Sequence, residues 1–110
     1  MELDSLAARE RQVALYERYG PLLTEHQRQT LDLYLRRDWS LAEVARRRRI
    51  SRAAVHDAVR RALAALESFE ERLGLVAEEK RRRTARAAVS RELRELRRRM
   101  SRVEAEVAGI

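Results

Sequence analysis

Chain-breaking residues are almost missing from this sequence. Three glycines and one proline occur in 110 residues, at Gly20-Pro21, Gly74 and Gly109. A sheet-rich fold needs turn chemistry every ~8–12 residues, so a sheet-rich fold is not expected. Arginine, alanine, leucine and glutamate dominate, and 39% of residues are charged, the composition of long helices. The length suits one small domain, or one small domain with a helical extension. Cysteine is absent, which removes disulfides, thiolate metal sites and cysteine nucleophiles and leads us to expect a cytoplasmic protein. No apolar run approaches the ~20 residues of a spanning helix, so no membrane insertion is expected. Met1 to Asp4 show neither a basic nor an apolar leader region, so no secretory signal is expected.

The breakers and caps divide the chain into helices. A first helix is expected from Ser5 to Tyr19, capped by Asp4 or Ser5, with Leu6, Val13, Leu15, Tyr16 and Tyr19 as its apolar stripe and Gly20-Pro21 as its stop. Thr24 and Gln27 form a capping box that opens a second helix, with Leu31, Tyr34 and Leu35 at helical spacing and Arg36 and Arg37 in its last turn. Asp38-Trp39 is a short connection. Ser40 and Glu43 form another capping box for a third helix, Leu41 to Arg48. After a break at Arg49-Ile50, Ser51 caps a fourth helix that Gly74 closes. Its buried stripe is Val55, Val59, Ala62, Leu63, Leu66, Phe69 and Leu73.

The last helix, Val76 to Ala108, has another pattern. Val89, Leu93, Leu96, Met100, Val103, Val107 and Ile110 recur at alternating spacings of four and three. That is a heptad seam over three heptads, narrower than the stripe of a helix buried in a globular core. It requires a partner helix, from a second copy or by folding back, and a homodimer is expected. The organisation read here is all-α: a four-helix domain over residues 1–75 and a coiled-coil-like helix over 76–110.

Charge is segregated along this chain. Residues 1–38 carry six basic and seven acidic side chains, 39–66 seven and two, 67–79 one and five, and 80–110 eleven and four. Lys80 is the only lysine, so an arginine-rich bias is one source of charge, but it would have made the first third basic too. Two basic segments point to a polyanionic partner, nucleic acid first. The third and fourth helices, joined by a tight turn, have helix-turn-helix organisation. Small Ala45 sits where they cross, and Val44, Ile50 and Val55 are expected to form the core between them. With Val55, Val59 and Ala62 facing inward, Arg52, Ala53, His56, Asp57 and Arg60 share the outer face. The candidate nucleic-acid contacts are Arg46, Arg47, Arg49, Ser51, Arg52, Ala53, His56 and Arg60. Arg48 contributes charge there, but its stem is expected over the core and its head in water. Asp57 opposes a phosphate backbone and is expected to pair with Arg60 or Arg61. The candidate oligomerisation residues are Val89, Leu93, Leu96, Met100, Val103 and Val107. Tyr16, Tyr19, Tyr34, Trp39 and Phe69 sit at core spacings and are expected to pack.

Catalytic constellations are missing. His26 and His56 have neither ligand spacing, so no metal site and no cofactor is expected. His56 and Asp57 are adjacent and point about 100° apart on a helix, which is no dyad. A phosphate loop lacks its glycines. The chain is read as a non-enzyme.

Tyr16, the run Tyr19-Gly20-Pro21-Leu22-Leu23-Thr24-Glu25 with Gln27, the segment Ser40 to Ala45, Ile50 to Asp57 with Arg60, and Leu66 to Leu75 resemble the YlxM-type proteins. These are small bacterial proteins with a helix-turn-helix similar to region 4 of sigma-70 factors, a DNA-binding type related to winged helices but without a wing. The resemblance covers residues 6–75. It implies an accessory or regulatory protein of the signal recognition particle pathway, with that particle's RNA or duplex DNA as partner and its protein components as further candidates. This chain departs from the family pattern at Arg48 and Arg49, where the family has an apolar residue and a glycine. It departs again at Ala53 and His56, where the family has glutamine and tyrosine. The glutamine is a plausible adenine reader, so its loss shifts the expectation from base reading to backbone contact.

Overall fold

A computed structural model describes residues 5–109, and all regular structure in them is helical. Five α-helices follow one another: α1 Leu6–Tyr19, α2 Glu25–Leu31, α3 Leu41–Arg48, α4 Arg52–Leu73 and α5 Leu75–Ala108. A 3-10 turn, Gly20–Leu22, follows α1, and a π-helical turn, Asp32–Arg36, follows α2. The chain divides into two compact units, up to Val76 and from Ala77.

The caps act as the side chains dictate. Ser5 accepts from the Ala8 amide, Thr24 from Gln27, Ser40 from Glu43 and Ser51 from Ala54. In both capping boxes the third residue reaches back to the cap amide, at 3.1 Å for Gln27 and for Glu43. Each box satisfies two amides that have no partner inside the helix. Gly74 takes a left-handed conformation, φ 63°, and its amide closes α4 on the Glu70 carbonyl. Asp4, the alternative cap for α1, lies outside the described residues.

In the first unit α4 is the axis. It packs against α1, α2 and α3, and Val55, Val59, Ala62 and Leu66 on it are fully buried. Leu15, Tyr19, Leu31 and Val44 face them from α1, α2 and α3. Tyr16 and Tyr34 are buried, Trp39 and Phe69 half-buried against the core, so the aromatics pack as their spacing indicates. Leu6 and Leu73 do not belong to the core. They stand at 76% and 52% exposed, Leu6 as the first residue of α1 and Leu73 as the last of α4.

The second helix also differs from its expected form. Its α-helical hydrogen bonding ends at Leu31 and widens over Asp32–Arg36, where Arg37 donates to the Asp32 carbonyl, five residues back. Tertiary contacts hold this turn. Arg9 of α1 donates to the Tyr34 carbonyl at 2.8 Å and to Asp38 at 2.5 Å, with its guanidinium 4.3 Å from the Tyr34 ring centre. The clamp pins the segment from a residue 25 positions away, which no local pattern announces. Asp38 meets it with φ 56°.

Leu75 and Val76, the first residues of α5, pack on the same core. The buried Glu70 carboxylate accepts from the Tyr19 hydroxyl at 2.5 Å and from the Val76 amide at 3.1 Å. The same hydroxyl accepts from the Leu75 amide at 3.0 Å. Burial first, and the bond to Glu70 second, hold the Tyr19 phenol above its ordinary pKa, so it stays a donor. Together these groups cap a helix that has no capping side chain of the usual kind before it.

The second unit is the rest of α5. None of its described residues is buried. The six seam residues from Val89 to Val107 are between 49% and 64% exposed. Ile110, the seventh, lies outside the described residues.

Candidate nucleic-acid interface

The turn between α3 and α4 is built from a left-handed residue followed by a cap. Arg49 has φ 57° and its amide closes α3 on the Ala45 carbonyl. Ile50 donates to the same carbonyl at 3.1 Å. Ser51 is extended and accepts from the Ala54 amide at 3.0 Å, starting α4. Val44, Ala45, Val55 and Val59 are buried and hold the two helices together. Ile50 does not join that small core: it is 39% exposed, because the left-handed turn before it swings its side chain to the rim.

Arg46, Arg47, Arg49, Ser51, Arg52, Ala53, His56 and Arg60 are all exposed. They lie along α3's last turn, the connection and α4's outer face, all within the first unit. Their charge is unevenly compensated. Among the described residues Arg46, Arg47, Arg49 and Arg52 meet no carboxylate within ion-pair distance. Asp57 takes Arg60 at 3.0 Å and Arg61 at 2.9 Å. Two cations further along α4 thus share one carboxylate, while the four at the turn have none.

Arg48 behaves otherwise than expected. Its head is tied to neighbouring side chains by exposed hydrogen bonds: one guanidinium nitrogen donates to Gln29 at 3.0 Å and another to His26 Nδ1 at 2.6 Å. A guanidinium only donates, so that imidazole nitrogen accepts. Arg48 ties α3 to α2, which sequence spacing did not reveal because the partners lie 19 and 22 residues away.

Glu43 sits at the other end of α3. Its carboxylate accepts from the Ser40 amide and is held below the ordinary glutamate pKa by that backbone bond, then by the Ser40 side chain, with a smaller pull from Arg46. No group of three or more metal-ligating side chains lies among the described residues. None of their helices is long and apolar enough to cross a membrane.

Residues 6–106 match a protein family described as "UPF0122: Putative helix-turn-helix protein, YlxM / p13 like". The chain belongs to the UPF0122 family. A UPF0122 protein of Symbiobacterium thermophilum is 52% identical over 68 residues, covering 62% of this chain and 64% of that relative. One from Geobacillus kaustophilus is 48% identical over 69 residues, 63% of each chain. One from Thermoanaerobacter sp. is 48% identical over 62 residues, 56% of this chain and 53% of its own. The match thus spans between about half and two thirds of the length of these UPF0122 relatives.

Proposed function

We propose that this UPF0122 protein is a non-catalytic accessory or regulatory protein of the signal recognition particle pathway. In this reading α3 and α4 form a helix-turn-helix of the sigma-70 region 4 kind that docks on nucleic acid, and two copies join through α5. The particle's RNA is the favoured ligand. The observation that carries the docking is the uncompensated turn: four exposed arginines, Arg46, Arg47, Arg49 and Arg52, with no carboxylate partner among the described residues. Free guanidinium groups at such density suit phosphate oxygens, which they meet bidentately.

The same surface favours backbone contact over base reading. Ala53 offers no hydrogen-bonding group, and Asp57 spends its carboxylate on Arg60 and Arg61. The pathway assignment rests on the family resemblance, and the cationic turn supplies the chemistry by which the particle's RNA would be held.

Titration of the full chain against the particle's RNA hairpin and an unrelated DNA duplex, at about 50 and 200 mM salt, tests the reading. Four neutralised phosphates predict a loss of roughly a hundredfold across that range for one head, and several thousandfold for two heads acting together. The hairpin should bind more tightly. Selective retention of one duplex, abolished by Arg52→Ala, would replace this reading with a DNA-binding transcription regulator. Affinity indifferent to salt would remove nucleic acid altogether and leave a protein-binding module, for which the particle's protein components are the first candidates.

A further inference from the structure

We infer that α5 pairs with α5 of a second copy in parallel and in register, with the helix direction fixed by charges beside the seam. This rests on the self-association reading above and specifies its geometry. The alternating spacing places Val89, Leu96 and Val103 at d positions and Leu93, Met100 and Val107 at a positions. All six are at least 49% exposed. The flanking g positions are then Glu92, Arg99 and Glu106, and the flanking e positions Ser90, Arg97 and Glu104. In a parallel pair a g residue meets the e residue five positions later on its partner. Glu92 therefore meets Arg97 of the second copy, and Arg99 meets Glu104. Both contacts are attractive, and two-fold symmetry makes each of them twice.

Other arrangements are worse by the same arithmetic. Sliding one helix by a heptad sets Glu92 against Glu104 and Arg99 against Arg97. An antiparallel pair centred on the seam sets Arg97 against Arg97 and Arg99 against Arg99. An antiparallel pair shifted by one heptad has matching charges, but it gives Val89 no partner among the described residues. The parallel in-register pair alone seats all six described seam residues with opposite charges on both flanks.

The flanking groups are available. Among the described residues Glu92, Arg97 and Glu104 form no ion pair in the single chain. Arg99 approaches Glu95 at 3.7 Å, but Arg98 shares that carboxylate at 3.4 Å, so Glu95 keeps a partner when Arg99 turns outward. The seam stops at Val89 because the preceding heptad positions hold Arg82 and Arg86, which fixes its upper end. Self-pairing is the specific reading of this pattern: the signs at 92 and 97, and at 99 and 104, complement each other within one sequence.

Sedimentation equilibrium on the full chain provides the test. The wild type should sediment as two chains. Glu92→Arg sets a second guanidinium against Arg97 in the parallel pair and should weaken association about tenfold or more, whereas in the shifted antiparallel pair the new side chain meets no charge among the described residues. Adding Arg97→Glu should restore wild-type association in the parallel pair. In the antiparallel pair that same change would bring the new carboxylate against Glu104 and leave the two chains repelling. Circular dichroism on each variant separates lost pairing from lost helix. Because the chain has no cysteine, Ser90→Cys carries a single spin label. Two labels should lie within about 15 Å in the parallel pair and at about 35 Å in the shifted antiparallel pair, given a rise of ~1.5 Å per residue. A dimer indifferent to Glu92→Arg, or a swap that fails to restore it, overturns the parallel geometry while leaving self-association standing. A mass of three or four chains also overturns it. A monomer at all concentrations overturns both.

Discussion

Arg49 shows how one residue sets stability against binding. It holds φ 57°, a conformation in which a side chain costs ~1 kcal/mol and glycine costs little. Nothing in the fold compensates: the guanidinium has no carboxylate partner among the described residues and is exposed. A glycine at this position would relieve the strain and delete one of the four uncompensated charges. Arg49→Gly should raise stability by about 0.5–1 kcal/mol, a few degrees in Tm for a unit of this size. In the RNA titration it should shrink the slope of log affinity against log salt by about 0.8 per head. A variant that is more stable yet binds unchanged would show that Arg49 touches no phosphate.

At the scale of elements, the two capping boxes close with different third residues and so respond differently to acid. The box that opens α2 closes with Gln27, which does not titrate, whereas the box that opens α3 closes with Glu43. The folded Glu43 pKa is depressed, so its contribution is present in full above the unfolded glutamate pKa. It is lost as pH falls through the lowered folded value. Glu25, lowered mainly by Arg28, follows the same direction. Glu43→Gln keeps the box, because an amide oxygen also accepts from the Ser40 amide. Thermal unfolding from pH 7 to 3 should therefore show a shallower acid limb for Glu43→Gln than for the wild type. Superimposable limbs would mean that the ionisation of Glu43 contributes nothing to α3.

At the scale of the molecule, the cationic turn and the seam belong to different units of one chain, and the proposed function joins them through mass action. Two heads held together bind one polyanion with an avidity neither has alone. Leu96→Glu places a carboxylate in the middle of the seam without touching the head. It should give a monomer by sedimentation, keep the helical content of the first unit, and roughly halve the salt slope of RNA binding. A monomeric variant with the wild-type slope would show that the heads act singly.

Most of the element order was legible in the sequence, because caps and breakers act locally. Ser5, Thr24, Ser40, Ser51 and Gly74 each satisfy backbone groups within a few residues, so their positions fix the helix ends whatever surrounds them. The seam was equally plain, since a heptad repeat is written in spacing alone. The tertiary structure decided what depends on residues far apart in the chain. Arg9 reaches Tyr34 and Asp38 and steadies the π-helical turn; Tyr19 and Glu70 cap α5; Arg48 ties α3 to α2. It also moved Leu6, Ile50 and Leu73 out of the core, because periodicity tells which face a side chain lies on and only packing tells whether anything stands opposite it. The sequence by itself determined the helices and the sign of the charge. The pairing of Asp57 with Arg60 and Arg61 lies within one helical turn and was legible too, whereas the partners of Arg9 and Arg48 lie far along the chain and were settled only by folding.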